Sequence, residues 1–122
     1  MIVSRPATAE DVRSVHPDQG CSFIAWAVDL DGKLAGVVGL AKTRPVACAF
    51  CWIDETLRPY LKSLTVMKLL KKLEAACRAS RLPVVAIRDR KEPKAPHILK
   101  RLGFTFDHVS DENDAVYRWG PA

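Results

Sequence analysis

The chain has 122 residues, 48% of them hydrophobic and 27% charged, with a formal net charge of +5. That length suits a single domain, residues 1–122, around a modest core, and no run of about 18 apolar residues is present to form a membrane helix. The opening MIVSRPATAED carries Arg5, Glu10 and Asp11 where an export signal needs an apolar segment, so a cytoplasmic setting is expected, with Cys21, Cys48, Cys51 and Cys77 as thiols.

MIVSR reads as a first strand, and Pro6 holds Arg5 extended. A short helix follows, with Thr8 as its N-cap and Asp11 three residues on in a capping-box arrangement. It ends before Pro17, and HPDQG is a loop. Cys21–Leu30 and Lys33–Lys42 read as two strands joined at Asp31-Gly32, a tight-turn signal. Gly36 and Gly39 weaken the second of these unless something must approach its backbone closely. Val46–Asp54 is a third strand, apolar on both faces, which suits the centre of a covered sheet. Cys48 and Cys51 form a CxxC in it, but residues three apart on a strand face opposite sides. With no second CxxC and no histidine at finger spacing, no metal site is expected.

ETLRPYL reads as a loop. Lys62–Ser80 is the longest helical pattern, capped by Ser63 or Thr65, with Leu64 or Val66, then Leu69, Leu70, Leu73, Ala76 and Cys77 as its inward stripe. Pro83 stops it. PVVAIRD is a short apolar strand, parallel to its neighbour because a helix precedes it. After a polar loop, Pro96–Leu102 is a short helix closed by Gly103. Phe104–Val109, an acidic turn and Ala115–Trp119 complete the order β-α-β-β-β-α-β-α-β-β. This implies an α+β layered fold: a mixed, mostly antiparallel sheet flanked by helices. Residues 62–101 hold twelve of the nineteen Lys and Arg but only Glu74, Asp89 and Glu92 as acids, a basic half suited to a phosphate-bearing ligand, to weak electrostatic nucleic-acid binding, or simply to water.

Three pieces, IVSRPATAEDV, AVDLDGKLAGVVGL and KAPHILKRLGFTF, resemble in order the GNAT N-acetyltransferase superfamily. The resemblance covers nearly the whole chain, with the region of a second short helix near 17–21 reduced. It implies transfer of an acyl group, as from acetyl-CoA, to an amine. It implies a fourth strand, Val46–Asp54, splayed from the fifth, with the pantetheine arm in the gap. It also implies a pyrophosphate loop within Tyr60–Met67, where helix N-terminal amides favour anions. Anchored on Pro59, the loop is Lys62, Ser63, Leu64, Thr65, Val66 and Met67; a register one residue earlier gives Leu61, Leu64 and Val66. Neither supplies the family's glycines, and no glycine occurs between Gly39 and Gly103. Lys62, Ser63 and Thr65 either compensate with charge and hydroxyls or form a helix cap with a solvated lysine. The position of the family's acidic tyrosine is Leu99, which has no proton to give, and an asparagine near the start of that helix is replaced at about Pro93. Tyr60 or Tyr117 could substitute. Asp54 and Glu55, at the end of the fourth strand, are the candidate general bases, or else ordinary loop acids. His16, His97 and His108 form no constellation.

Two other functions fit the same residues. One is a GNAT fold without catalysis, a binding or structural module. The phrases TRPVACAF, ETLRPYLKS and APHILKRLGF resemble compact proteins of bacteriophages and prophages, which implies phage structural proteins as partners and a virion association. The other is weak nucleic-acid binding by the basic half.

Overall fold

The computed structural model describes residues 1–15, 22–42, 45–88 and 95–120. The chain runs β1 Ile2–Pro6, α1 Ala9–Val15, β2 Phe23–Leu30, β3 Lys33–Lys42, β4 Ala47–Ile53, a 3-10 helix Glu55–Tyr60, α2 Leu64–Ala79, β5 Val84–Ile87, α3 Ala95–Leu102, β6 Phe104–Val109 and β7 Ala115–Trp119. The strands form a mixed sheet in the order β1-β2-β3-β4-β5-β7-β6, antiparallel throughout except for β4 against β5. This is the expected α+β arrangement, with β4 at its centre. Cys21, the loop at 16–20 and the polar loop before α3 lie outside the described residues.

Local chemistry accounts for several junctions. Asp31 (φ 51°) and Gly32 (φ 82°) both take positive φ, as the turn that matches strand twist requires. At α1, the Asp11 amide donates to Thr8 Oγ1 at 3.1 Å and the Thr8 amide to Asp11 Oδ2 at 2.8 Å, closing the capping box. The same Asp11 accepts from Arg5 Nη1 at 2.7 Å, while Arg5 Nε donates to Asp29 Oδ2 at 2.8 Å. One guanidinium thus ties β1, α1 and β2 together. Gly103, at φ 102°, ends α3, and the Trp119 indole over it donates to the Leu102 carbonyl at 3.1 Å.

The sheet's two faces are covered unequally. Val66, Leu69, Leu73 and Cys77 of α2 are buried against one face, where Val38, Leu40, Val84 and Ala86 meet them. Burial pushes the Cys77 thiol up to about 11, that of an inert core cysteine. Leu64, by contrast, is 70% exposed. The opposite face is covered by the short α1, whose Val12 packs with Ala25 and Val37 and is flanked by Phe50 and Trp52.

Residues 55–60 depart from the expected loop. Asp54 is extended (φ −69°, ψ 153°) and accepts from Thr56 N at 3.2 Å and Thr56 Oγ1 at 2.6 Å, which starts a 3-10 helix. Leu57, 1% exposed, anchors it: a Cβ on Gly36 would stand 3.1 Å from Leu57 Cδ2. The small residue in β3 is the seat of that leucine. At Gly39 a Cβ would stand 2.6 Å from Ala25 Cβ and 2.7 Å from Phe50 Cζ, so this glycine lets three strands close up. The following α-helix starts at Leu64, later than expected, because Ser63 is its cap: its side chain accepts from Val66 N at 3.3 Å.

Candidate functional site

The site is built by a fork in the sheet. β4 and β5 pair only at Ala47–Val84, Cys48–Val85 and Ala49–Ala86. Beyond them β4 continues to Ile53 beside β3 alone, while β5 ends at Ile87 and the Arg88 amide turns to the Ala115 carbonyl of β7, at 3.0 Å. The two strands run parallel and then part, opening a cleft of about 600 Å³ at their C-terminal ends, the side where ligands bind in parallel arrangements. Residues 48–53 of β4 form one wall. Ala86, Ile87 and Arg88 form the other, Leu73 of α2 with Ile98, Leu99 and Leu102 of α3 and Phe104 of β6 line its flank, and Glu55 and Arg58 of the 3-10 helix stand at its rim.

Strand alternation assigns the faces. Ala49 and Ile53 pack with the α2 side, whereas Phe50 and Trp52 pack with the α1 side. Cys51 shares the parity of Ala49 and Ile53, yet it is exposed, because at its level β5 has moved away. Cys48 has the opposite parity, and the two thiols are not joined. Extending the Ala49–Ala86 register by two residues sets Arg88 level with Cys51. Arg88 is half-buried. Among the described residues, one buried side-chain nitrogen or oxygen has no hydrogen-bond partner: Arg88 Nε. A buried donor of a permanently charged group left unmade carries its full desolvation penalty.

The expected site residues divide. Glu55 lines the cleft; Asp54 does not. The hydrogen bonds from the Thr56 hydroxyl and amide hold the Asp54 carboxyl below the usual carboxylate range, and that side chain serves as a helix cap. None of Lys62, Ser63, Leu64, Thr65, Val66 and Met67 lines the cleft. Lys62 and Leu64 are exposed, Thr65 and Met67 are half-buried, and the Val66 side chain is in the core. The Ser63 hydroxyl occupies the Val66 amide, a donor that a phosphate at this helix end would use. Leu99 does stand in the cleft wall, at the position where the resemblance places a tyrosine. Tyr60 is exposed, and Tyr117 packs edge-on to Phe106 with ring centroids 5.7 Å apart; neither lines the cleft. His97 is exposed and His108 pairs with Asp107 at 2.7 Å. Pro93 and His16 lie outside the described residues. No group of three His, Cys, Asp or Glu stands together as a metal site among the described residues, and no helix among them is long and apolar enough to cross a membrane.

Sequence reasoning missed Arg58, Arg88 and Cys51 as cleft residues. The signal for the last two was strand parity, which becomes usable only once the β4–β5 register is known.

No family model matches the sequence, and no curated protein matches it. Solved structures do. An acyl-CoA N-acyltransferase structure from Klebsiella pneumoniae superposes with a TM-score of 0.69 at 17% identity, covering 98% of this chain and 97% of that one. A GNAT-family acetyltransferase from Staphylococcus aureus gives 0.66 at 12% identity, covering 98% of both chains. The chain has the GNAT acetyltransferase fold. The PaiA N-acetyltransferase of Thermoplasma acidophilum, solved in complex with coenzyme A, gives 0.61 at 16% identity, with 92% of this chain covered and 67% of that one. At these identities the likeness is one of GNAT architecture, and the residues of the fork are this chain's own.

Proposed function

We propose that the chain binds an acyl-coenzyme A, such as acetyl-CoA, in the β4–β5 fork and transfers the acyl group to an amine. The observation that carries this reading is the cleft of about 600 Å³ at the parting of the parallel pair β4 and β5. Its lining fits a narrow arm of alternating alkyl and amide groups. Ile53, Leu73, Ile98 and Leu99 offer apolar contact, and β4 beyond Ala49 runs without β5 beside it. At the first turn of α2, Lys62 brings a charge, and the Leu64 and Thr65 amides have no carbonyl within the helix to bond. These residues would hold the pyrophosphate, in place of the glycines more usual there. Coenzyme A would supply the acyl carbon as a thioester, already activated toward an amine.

Within this reading Glu55 is the proton acceptor. It stands in the cleft lining, and as a carboxylate it takes the proton an ammonium must lose to become nucleophilic, directly or through a water. Asp54 keeps its cap and leaves this task to its neighbour. The flank of the cleft at Leu99 excludes water but donates nothing. The expected outcome is a rise in Tm of several degrees with millimolar acetyl-CoA or CoA, since ligand binding to the folded state alone stabilises it. An unchanged Tm would overturn the reading.

A second reading is favoured by Leu99 and by the Ser63 hydroxyl on the Val66 amide. It keeps the scaffold as a non-catalytic binding module, with a phage structural protein as the partner implied by the sequence resemblance; none of the three structural relatives above is a phage protein. Exposed Lys68, Lys71 and Lys72 on α2 would add at most a weak, salt-sensitive affinity for nucleic acid. Stabilisation by CoA without any turnover on a panel of amines would select this module over the transferase.

A further inference from the structure

We infer that Arg88 forms a carboxylate subsite in the fork, so that the acceptor is an amine that also carries a carboxylate, of the kind found in amino acids. The inference rests on the transferase reading above and narrows its substrate class.

Three observations converge on Arg88. It ends the shorter wall of the cleft, directly after β5. Its backbone is fixed, because the Arg88 amide bonds to the Ala115 carbonyl at 3.0 Å and so continues the β5–β7 ladder. Its Nε is buried and makes no hydrogen bond, and no ion pair of the described residues involves its side chain. A guanidinium cannot shed its charge to relieve this, and no described residue offers it an acceptor, which leaves the place to a ligand entering the cleft. The edge formed by Nε and a terminal nitrogen matches the two oxygens of a carboxylate. Arg5 shows the same chemistry completed within the fold, where Nε meets Asp29 and Nη1 meets Asp11. At Arg88 no described residue supplies such a carboxylate.

The rest of the cleft sets the class. Among the described residues, its charged lining is Glu55, Arg58 and Arg88. Two cations and one anion favour a ligand that is anionic at one end. The one carboxylate, on the β4 side, suits the amine at the other. A purely cationic polyamine would meet Arg58 and Arg88 unfavourably. The exposed Cys51, level with Arg88 on the facing strand, is a small side chain that leaves room between the walls.

The test uses the full chain and two neutral-nitrogen probes of one shape, N-acetyl-L-alanine and N-acetyl-L-alanine amide. Their binding is followed by calorimetry or NMR shift titration, in parallel with acetyl-CoA. The carboxylate probe is expected to bind roughly ten- to a hundredfold more tightly than the amide. Arg88→Gln should erase that preference without lowering the melting temperature, and Arg88→Lys should restore only part of it. Equal binding of the two probes, or failure of both to bind, overturns the carboxylate subsite. So does a loss of acetyl-CoA affinity in Arg88→Gln with the probe preference unchanged, which would give the arginine to the cofactor phosphates. If acetyl-CoA fails to bind but the probe preference holds and depends on Arg88, the subsite stands and the transferase reading falls. If acetyl-CoA binds and turns over on alanine and alaninamide alike, the transferase stands and the subsite falls.

Discussion

Two arginines divide the molecule. At the N-terminal corner, Arg5 is enclosed by Asp11 and Asp29, and its hydrogen bonds, first to Asp11 and then to Asp29, raise its pKa further beyond reach. In return, the Arg5 hydrogen bond is the chief cause that holds the Asp11 carboxyl at about 2. At the fork, Arg88 is half-buried with Nε unsatisfied. The corner uses a cation to join three elements, β1, α1 and β2. The fork holds a cation whose Nε meets no partner among the described residues. A charge that the fold completes serves the fold; a charge without a described partner, beside an open cleft, is where the proposed subsite lies.

That contrast breaks first at the residue holding the rim of the fork. Leu57→Ala removes a fully buried side chain from its seat at Gly36 and should cost about 3 kcal/mol in urea unfolding. Amide exchange should then rise over residues 55–60 and stay slow in β2 and β3. The corner comes next. Arg5→Ala strands two carboxylates, and a loss of about 2 kcal/mol is expected, discounted for their partial exposure. The pH dependence carries the same signature. Because the folded pKa of Asp11 is depressed, its contribution is complete above the unfolded value of about 4 and disappears as the pH falls toward 2. Wild type should lose about 1–2 kcal/mol over that window, and Arg5→Ala should show a flatter profile. Smaller again is Ser63→Ala, at about 1 kcal/mol, since one cap hydrogen bond is lost. If the Val66 amide so released is useful to a phosphate, acetyl-CoA should recover part of that loss in a thermal melt; no recovery would mean that the hydroxyl serves only the helix.

Much of the scaffold was legible because its signals are local. Thr8 with Asp11, Asp31-Gly32, the apolar stripe through Leu69, Leu73 and Cys77, and Gly103 each specify their structure within a few residues, and each holds. The 3-10 helix was not legible. Pro59 reads as a breaker, and the reason for order at 55–60 is Leu57 entering a gap that Gly36 leaves in a strand some twenty residues earlier in the chain. The fork was visible only through resemblance. Its chemistry was hidden because Arg88 and Cys51 are far apart in sequence and come onto opposite walls of one cleft through one register, Ala49 with Ala86. Asp54 and Glu55 look equivalent as text; a threonine two residues beyond Asp54 makes it a cap and leaves Glu55 in the cleft.

The three residue pairs between β4 and β5 also have a mechanical meaning. β2 and β3 share eight pairs and β3 and β4 seven, so β4–β5 is a short seam at the middle of the sheet, as short as β5–β7 with its three. On one side lies the block β1 to β4; on the other lie β5, β7 and β6 with α3, and the two sides share the core into which α2 packs. Such blocks open as units at a lower free energy than the whole chain. A ligand lying along both walls would act as a stitch across the seam, so filling the cleft and stiffening the molecule would be one event.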